Sequence, residues 1–433
     1  NTTGADNTAV GKDALGASTG DYNVAVGAFA AQNSTTGGSN TTVGYSAFNA
    51  NTTGSDNVSI GRLALASNTT ASNNVAIGRS ALALNEGGTY NTAVGTYALD
   101  ANVGGDANTA VGYGVLTNST ASDNTAVGRW ALNGDTTGHS NAGFGSSALL
   151  ANTTGSYNTA VGGYALDANT TASGNTALGY NALGSNTTGY SNISVGGNAL
   201  HSVTTGFENQ ALGYYAGAGV TTGNGNVSIG RSAGAGVTTG TYNVCIGNYA
   251  GYYNSAHITT GTANVFLGSF NQPSAVDTSQ EKIIGYNVVG AASSITFGTS
   301  SSDSRIADGA TTITAPSDVR LKEDIQDEKV GLDFINELRP VTFRWKKEKD
   351  VPKELKAHGE GSEERVMNGK YNHGFIAQEV KEVLDKNPDI KDGFDMWTED
   401  VDGRQRIGEG SLVPLLVKAI QELSAKVEAL EKS

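Results

Sequence analysis

One pairing of side chains in this sequence has the types and spacing for covalent chemistry. Ser317 is followed five residues later by Lys322, inside Ser-Asp-Val-Arg-Leu-Lys-Glu-Asp-Ile at 317–325. A serine hydroxyl is a weak nucleophile and needs a neighbouring base. A lysine serves as that base only where burial or nearby charge lowers its pKa. The spacing brings Lys322 within reach of Ser317 if the segment is helical or turned. The same residues also read as a helix start, with Ser317 as N-cap, Glu323 in the first turns and Lys322 as surface charge. The two readings are compatible. Elsewhere no pair of carboxylates argues for a sugar-cleaving site. His373 stands alone and is expected to pack or cap. The single cysteine, Cys245, falls in a repeat core position, so no disulfide framework exists. No cofactor and no metal are expected.

The element that must carry everything upstream is a repeat. Asn-x-x-apolar-Gly occurs sixteen times in phase, with the Asn at 7, 23, 40, 57, 74, 91, 108, 124, 141, 158, 175, 192, 209, 226, 243 and 264. The period is 17 residues, with two steps of 16 and a last step of 21. Such a period marks a solenoid or array. Gly, Thr, Asn and Ser dominate each copy and disfavour helix. The apolar residue before the Gly, a small one before that and Thr, Val or Ile earlier still alternate as in a short strand. Ala stands three past the Gly in fourteen of sixteen copies, usually followed by another apolar residue, which predicts a second inward-facing segment. The Asn-Thr-Thr-Gly run is turn chemistry. Two short strands and two turns per repeat make one coil of a thin roll. Small residues such as Ala9, Ala25, Ser59 and Ala76 are expected to let neighbouring rolls pack closely, and the roll to be stable only in such company.

Charge divides the chain. Of 59 glycines 50 precede Ser317, whereas 46 of the 68 charged residues lie in the last 117. Net charge is −14, which argues against a nucleic-acid partner. No stretch reaches the length of a membrane span. Arg62, Arg79, Arg129 and Arg231 share the position after the Gly and are expected to be solvated or ion-paired. The Asn-x-Thr/Ser triplets at Asn51, Asn68, Asn118, Asn152 and Asn169 match glycosylation acceptors, but belong to the repeat's turn. Tyr252, Tyr253 and His257, in the long last step, are the better places to look for ligand contact. The chain starts inside a repeat at Asn1, so an upstream segment is expected.

The shaft motif, Asn-x-Ala-Val/Ile-Gly followed by x-x-Ala, resembles the head repeats of trimeric autotransporter adhesins. That implies a left-handed parallel β-roll, three chains together, with a larger turn because the repeat here is longer. The rhythm stops after Gly268, and 282–285 and 294–298 read as strands of a neck, as before the last domain of many phage tail fibres. Ser317–Ile325, with Leu338-Arg339-Pro340-Val341-Thr342-Phe343-Arg344-Trp345 and Gly374-Phe375-Ile376-Ala377-Gln378-Glu379-Val380, resembles the endosialidase-type intramolecular chaperone. That domain ends phage tail spikes and fibres. The resemblance implies a self-cleaving serine peptidase that assembles a trimer and then cuts before the Ser. Ser317 would attack the carbonyl of the Pro316–Ser317 bond and Lys322 would take its proton, although Pro316 restricts that bond. The neck would then be an exposed tip, either a spacer or a receptor contact.

Residues 376–386 read as a helix and Gly393–Gly410 as a hairpin with Asp402-Gly403 at its turn. At the end, Val413, Ile420 and Val427 fall at a positions and Leu416, Leu423 and Leu430 at d. By rule this pattern favours two strands. The resemblance implies three, and a lone helix folding back on its own domain is the third reading. The expected organisation is a roll shaft over 1–268, a neck over 269–316 and an α+β chaperone over 317–433 ending in a long helix. The expected function is a homotrimeric phage tail fibre, with a host receptor and upstream virion proteins as partners. A bacterial surface adhesin and a polysaccharide-degrading tail spike are the alternatives.

Overall fold

The computed structural model describes residues 3–253, 256–300, 302–308, 313–314, 317, 319, 322–353, 355, 357–367, 369–387, 390, 396–399 and 404–432. They form two compact units, 1–316 and 317–433.

The first unit is a parallel β-solenoid. Each repeat contributes one three-residue strand, from β1 (Thr8–Val10) to β15 (Val244–Ile246). Equivalent residues stack in register: Thr92 on Thr109, Ala93 on Ala110, Val94 on Val111. The last 21-residue step holds a two-residue antiparallel hairpin, β16 (Tyr252–Tyr253) with β17 (Ala256–His257), before the ladder resumes at β18 (Val265–Leu267). The sequence predicts a second strand per coil, and the structure has turns there instead. Non-glycine residues in that segment take left-handed backbone, as at Tyr97 (φ 57) and Leu99 (φ 52), and cannot continue a strand. Coil-to-coil hydrogen bonds still fix them: Leu99 N–H donates to Val115 O at 3.0 Å.

The expected inward face is also reversed. From β2 onward the middle residue of the ladder strands is buried, as at Ala76, Ala93 and Ala110, while its flanks are half-buried or exposed. Ile77, Leu178 and Leu212 are 37%, 46% and 52% exposed. The coil is too narrow for more, because the Leu of the turn segment already fills it. Leu65, Leu82, Leu99, Leu116 and Leu132 form one continuous buried column, together with the small apolar residue before each, Ala in four of them and Val115 before Leu116. The β-branched columns therefore lie on the outside of the single chain.

The repeating Asn earns its place through four-way bonding. Asn40 Oδ1 accepts from Asn57 N–H at 3.0 Å, and Asn40 Nδ2 donates to Gly54 O at 3.0 Å. The arrangement recurs to Asn264. A second buried column, Asn51, Asn68, Asn85 and Asn102, ties the turns. Asn51, Asn68, Asn152 and Asn169 are thus buried, and Asn118 alone of the five candidate acceptors is exposed.

The rhythm does not end at Gly268. Glu281 takes the Asn position one period later, its N–H donating to Asn264 Oδ1 at 2.9 Å, and β19 (Lys282–Tyr286) continues the parallel ladder. A carboxylate cannot donate onward as Asn does. Glu281 instead accepts from Ser274 N–H and Thr278 Oγ1, which ends the Asn ladder. β20 (Ser294–Thr299) adds one more parallel rung, and β21 (Ser302–Ala307) reverses direction against it.

The second unit is a small α+β fold. α1 (Leu332–Glu337) leads into β22 (Val341–Phe343), which pairs antiparallel with β23 (Asn372–Gly374). α2 (Ala377–Lys386) follows, then a hairpin of β24 (Trp397–Glu399) and β25 (Gln405–Ile407), then α3 (Leu412–Glu431). The expected turn at Asp402-Gly403 lies outside the described residues. Phe334, Leu338, Val380, Val383, Leu384, Met396, Leu412 and Leu415 form the core. Only the first half of α3 takes part: Leu412, Leu415 and Ala419 are buried, while Ile420, Leu423 and Leu430 are 62%, 51% and 74% exposed.

Candidate active site

Ser317 and Lys322 meet. Lys322 Nζ donates to Ser317 Oγ at 2.8 Å, and both residues are exposed. A turn produces the contact, with Lys322 N–H donating to Val319 O at 3.2 Å. An α-helix running on from Ser317 is not found among the described residues: Val319 sits in a 3-10 turn, residues 322–331 are irregular, and the first described α-helix, α1, begins at Leu332. The reason is local. Asp324 is in left-handed conformation (φ 52), and 323–329 carry four acids and a lysine without an apolar stripe to bury. Pro316, Asp318, Arg320 and Leu321 lie outside the described residues.

The other two motif stretches are brought together by strand pairing. The first runs from the end of α1 through β22, the second from β23 into α2. Arg339 binds Glu379 through both carboxylate oxygens, with Nε to Oε2 at 2.9 Å. Those bonds hold Glu379 below its usual carboxylate range and raise Arg339 above its own. A bidentate pair of this kind fixes geometry more than it adds stability on an exposed surface. Thr342 Oγ1 lies 3.3 Å from His373 Nδ1, and both line an open cavity of about 310 Å³ with Pro340, Phe375 and Glu409. His373 is thus a surface strand residue. Neither Ser317 nor Lys322 lines that cavity.

A comparison with protein families speaks to the second unit. Residues 317–387 match the family described as the chaperone of endosialidase. The match begins at Ser317, where the second compact unit begins. With a solenoid of 17-residue turns ahead of it, this chaperone segment fits a tail fibre with a C-terminal chaperone domain. No curated protein and no solved structure matches the chain.

Among the described residues no His, Cys, Asp and Glu group could hold a metal ion, and no helix is long and apolar enough to cross a membrane. Cys245 is buried and its thiol is pushed up to about 12 by desolvation. Two features escaped sequence reasoning. Glu281 was hidden because it breaks the Asn pattern, although Ile284-Gly285 one period after Leu267-Gly268 was a usable signal. Asp135 stands in the buried Asn column, accepting from Ser119 Oγ at 2.9 Å and Asn152 Nδ2 at 2.8 Å. Burial raises its pKa to about 6.

Proposed function

We propose that the chain is a homotrimeric phage tail fibre whose C-terminal unit aligns three copies and then detaches by cutting Pro316–Ser317. The observation that carries the reading is the 2.8 Å contact between Lys322 Nζ and Ser317 Oγ at the first residue of the family match.

The chemistry follows from that contact. With Lys322 as the free amine, Nζ accepts the hydroxyl proton while Ser317 Oγ attacks the carbonyl carbon of Pro316. The Pro316–Ser317 C–N bond breaks, and the proton passes to the Ser317 nitrogen. The resulting ester between Pro316 and Ser317 Oγ is hydrolysed by water, leaving a carboxylate at Pro316 and a free amine at Ser317. Both side chains are exposed in the single chain, so assembly is the step expected to desolvate them.

Two exposed apolar surfaces support the trimer. The second half of α3 presents Ile420, Leu423 and Val427 to solvent at the spacing of a coiled-coil seam. The outward column just before the Gly, including Val26, Ile60 and Ile77, is apolar on every rung. A repetitive chain has many near-equivalent registers, each offset by one coil. A C-terminal unit that associates first removes that ambiguity, and the shaft pairs onward from it. Cutting afterwards makes the assembly kinetically rather than thermodynamically stable. The mature fibre would attach a virion to a host surface receptor and join upstream virion proteins.

Intact mass under denaturing conditions tests the site. Wild type is expected as two pieces meeting at Pro316–Ser317, with Ser317→Ala and Lys322→Ala whole. An uncut wild type under assembling conditions overturns the dyad.

A further inference from the structure

Two corners flank the exposed strand of every coil, one just before the ladder Asn and one just after the Gly. Their side chains are matched rung by rung. Tyr22, Tyr90, Tyr157 and Tyr242 precede the Asn in four rungs, and the residues after the Gly in those same rungs are Ala28, Thr96, Gly163 and Asn248. Where Tyr45, Tyr113 and Tyr180 follow the Gly, the residue before the Asn is Ser39, Ala107 or Gly174. The remaining two tyrosines after a ladder Gly, Tyr214 and Tyr286, share their rungs with Glu208 and Gln280, neither aromatic. Charge follows the same rule: Lys12, Arg62 and Arg129 share their rungs with Asp6, Asp56 and Asp123. Arg79 and Arg231 are matched by Asn73 and Gly225.

Contacts within one chain do not account for the matching. The two corners are six residues apart at opposite ends of an extended strand, up to about 20 Å of chain. The four tyrosines before the Asn are 64–67% exposed and have φ of 57–61°, a conformation that favours Gly and Asn. Within the chain the corner rings meet the neighbouring coil, as Tyr157 meets His139 at 5.0 Å and Tyr180 lies against Gly163, and they do not reach the other corner of their own rung. Their fit is to something outside the chain.

We infer that the corner before the ladder Asn in one copy seats against the corner after the Gly in the next copy, at the same rung, so that size and charge at these corners encode the register. The inference rests on the homotrimer proposed above and names its lateral contact. Such a contact joins two different surfaces and closes into a ring. The arithmetic of slippage favours it. In register, all four tyrosines meet a small or short residue. Shifted one rung toward the C-terminus, Tyr22, Tyr90 and Tyr157 meet Tyr45, Tyr113 and Tyr180. Shifted one rung the other way, Tyr22, Tyr90 and Tyr242 meet Lys12, Arg79 and Arg231. Asp56 and Asp123 then face Tyr45 and Tyr113 and lose their arginines. The shaft thereby carries its own check on alignment, since each wrong register opposes large groups on several rungs.

Paired cysteines in the full chain test this. Asp56→Cys with Arg62→Cys, and separately Asp123→Cys with Arg129→Cys, place both thiols on one rung. Asp56→Cys with Arg79→Cys offsets them by one. A disulfide needs Cα atoms within about 7 Å, and buried Cys245 stays silent. After mild oxidation, non-reducing gels are expected to show chains linked into trimers for both same-rung pairs and single chains for the offset pair. If the variants sediment as trimers but the same-rung pairs stay unlinked, or the offset pair links as well, the corner register is overturned while the trimer stands. If the chain sediments as a monomer, both fall.

Discussion

The shaft and the C-terminal unit solve the problem of specifying a structure in opposite ways. In the shaft each residue type answers to the equivalent residue one coil away, and the core is a set of columns: Leu on Leu, Ala on Ala, Asn on Asn. In the C-terminal unit the core is one small cluster of distant residues, Phe334, Val383, Leu412 and Leu415 among them, wrapped in charge. A column is cheap to encode and extends indefinitely, but one coil resembles the next and alignment between chains is poorly determined. A cluster of unlike residues is unique. The chain has one of each, and the unique part lies where alignment would be set first.

Breaking a column should have the largest effect. Gly95 has φ 141, and a Cβ there would lie 2.1 Å from Gly112 O. Gly95→Ala is expected to destabilise the shaft by at least about 4 kcal/mol, seen as a lower and broader thermal transition. Leu99→Ala removes one member of the Leu column and should cost about 2–5 kcal/mol, with the loss confined to the shaft transition. Comparable losses in the C-terminal unit would contradict the division into two units.

Asp135 sharpens the comparison, because it is a charge inside a column. Its folded pKa is raised to about 6 by burial, whereas the unfolded value is about 4. The folded state therefore holds the proton more tightly. The contribution of protonated Asp135 to shaft stability is fully present below pH 4 and is lost as pH rises through 6. Asp135→Asn restores the Asn column and should gain about 2–3 kcal/mol at pH 7, and the gain should vanish near pH 4 in thermal unfolding across that range. A flat difference with pH would show that the carboxyl is ionised in the column at no cost.

The smallest effect belongs to the exposed pair in the other unit. Arg339 holds Glu379 below the ordinary carboxylate range through hydrogen bonds. The pair's contribution is therefore present above that range and lost as pH falls through the lowered value. Glu379→Gln should barely move thermal unfolding at pH 7 and should remove this acid dependence.

Much of this was legible in the sequence, for reasons that differ by region. The period of the shaft is written in its Asn and Gly, because a buried ladder admits few substitutes for a side chain that both donates and accepts. Which face was inside was not legible. Alternation fixes that Ala93 and Val94 point opposite ways, but only the width of the coil decides that the smaller one is the core. The missing second strand was hidden because Leu99 adopts left-handed backbone that its type does not advertise. Glu281 continued the ladder under a residue type that pattern counting rejects. At the candidate site, Ser317 and Lys322 were singled out by type and spacing, while the chain over 322–331 is irregular where a helix was expected because acids crowd 323–328. The corner matching was present in the sequence, yet it means something only once the structure puts two positions six residues apart at opposite ends of one strand.

The central claim is that the C-terminal unit aligns the shaft. Its most direct measurement is sedimentation of the full chain beside a chain ending at Pro316, each expressed from the start in that form. The account predicts a uniform trimer from the full chain, cut or uncut, and a heterogeneous or aggregated product from the shorter one. A shorter chain that assembles by itself into the same uniform trimer would contradict it.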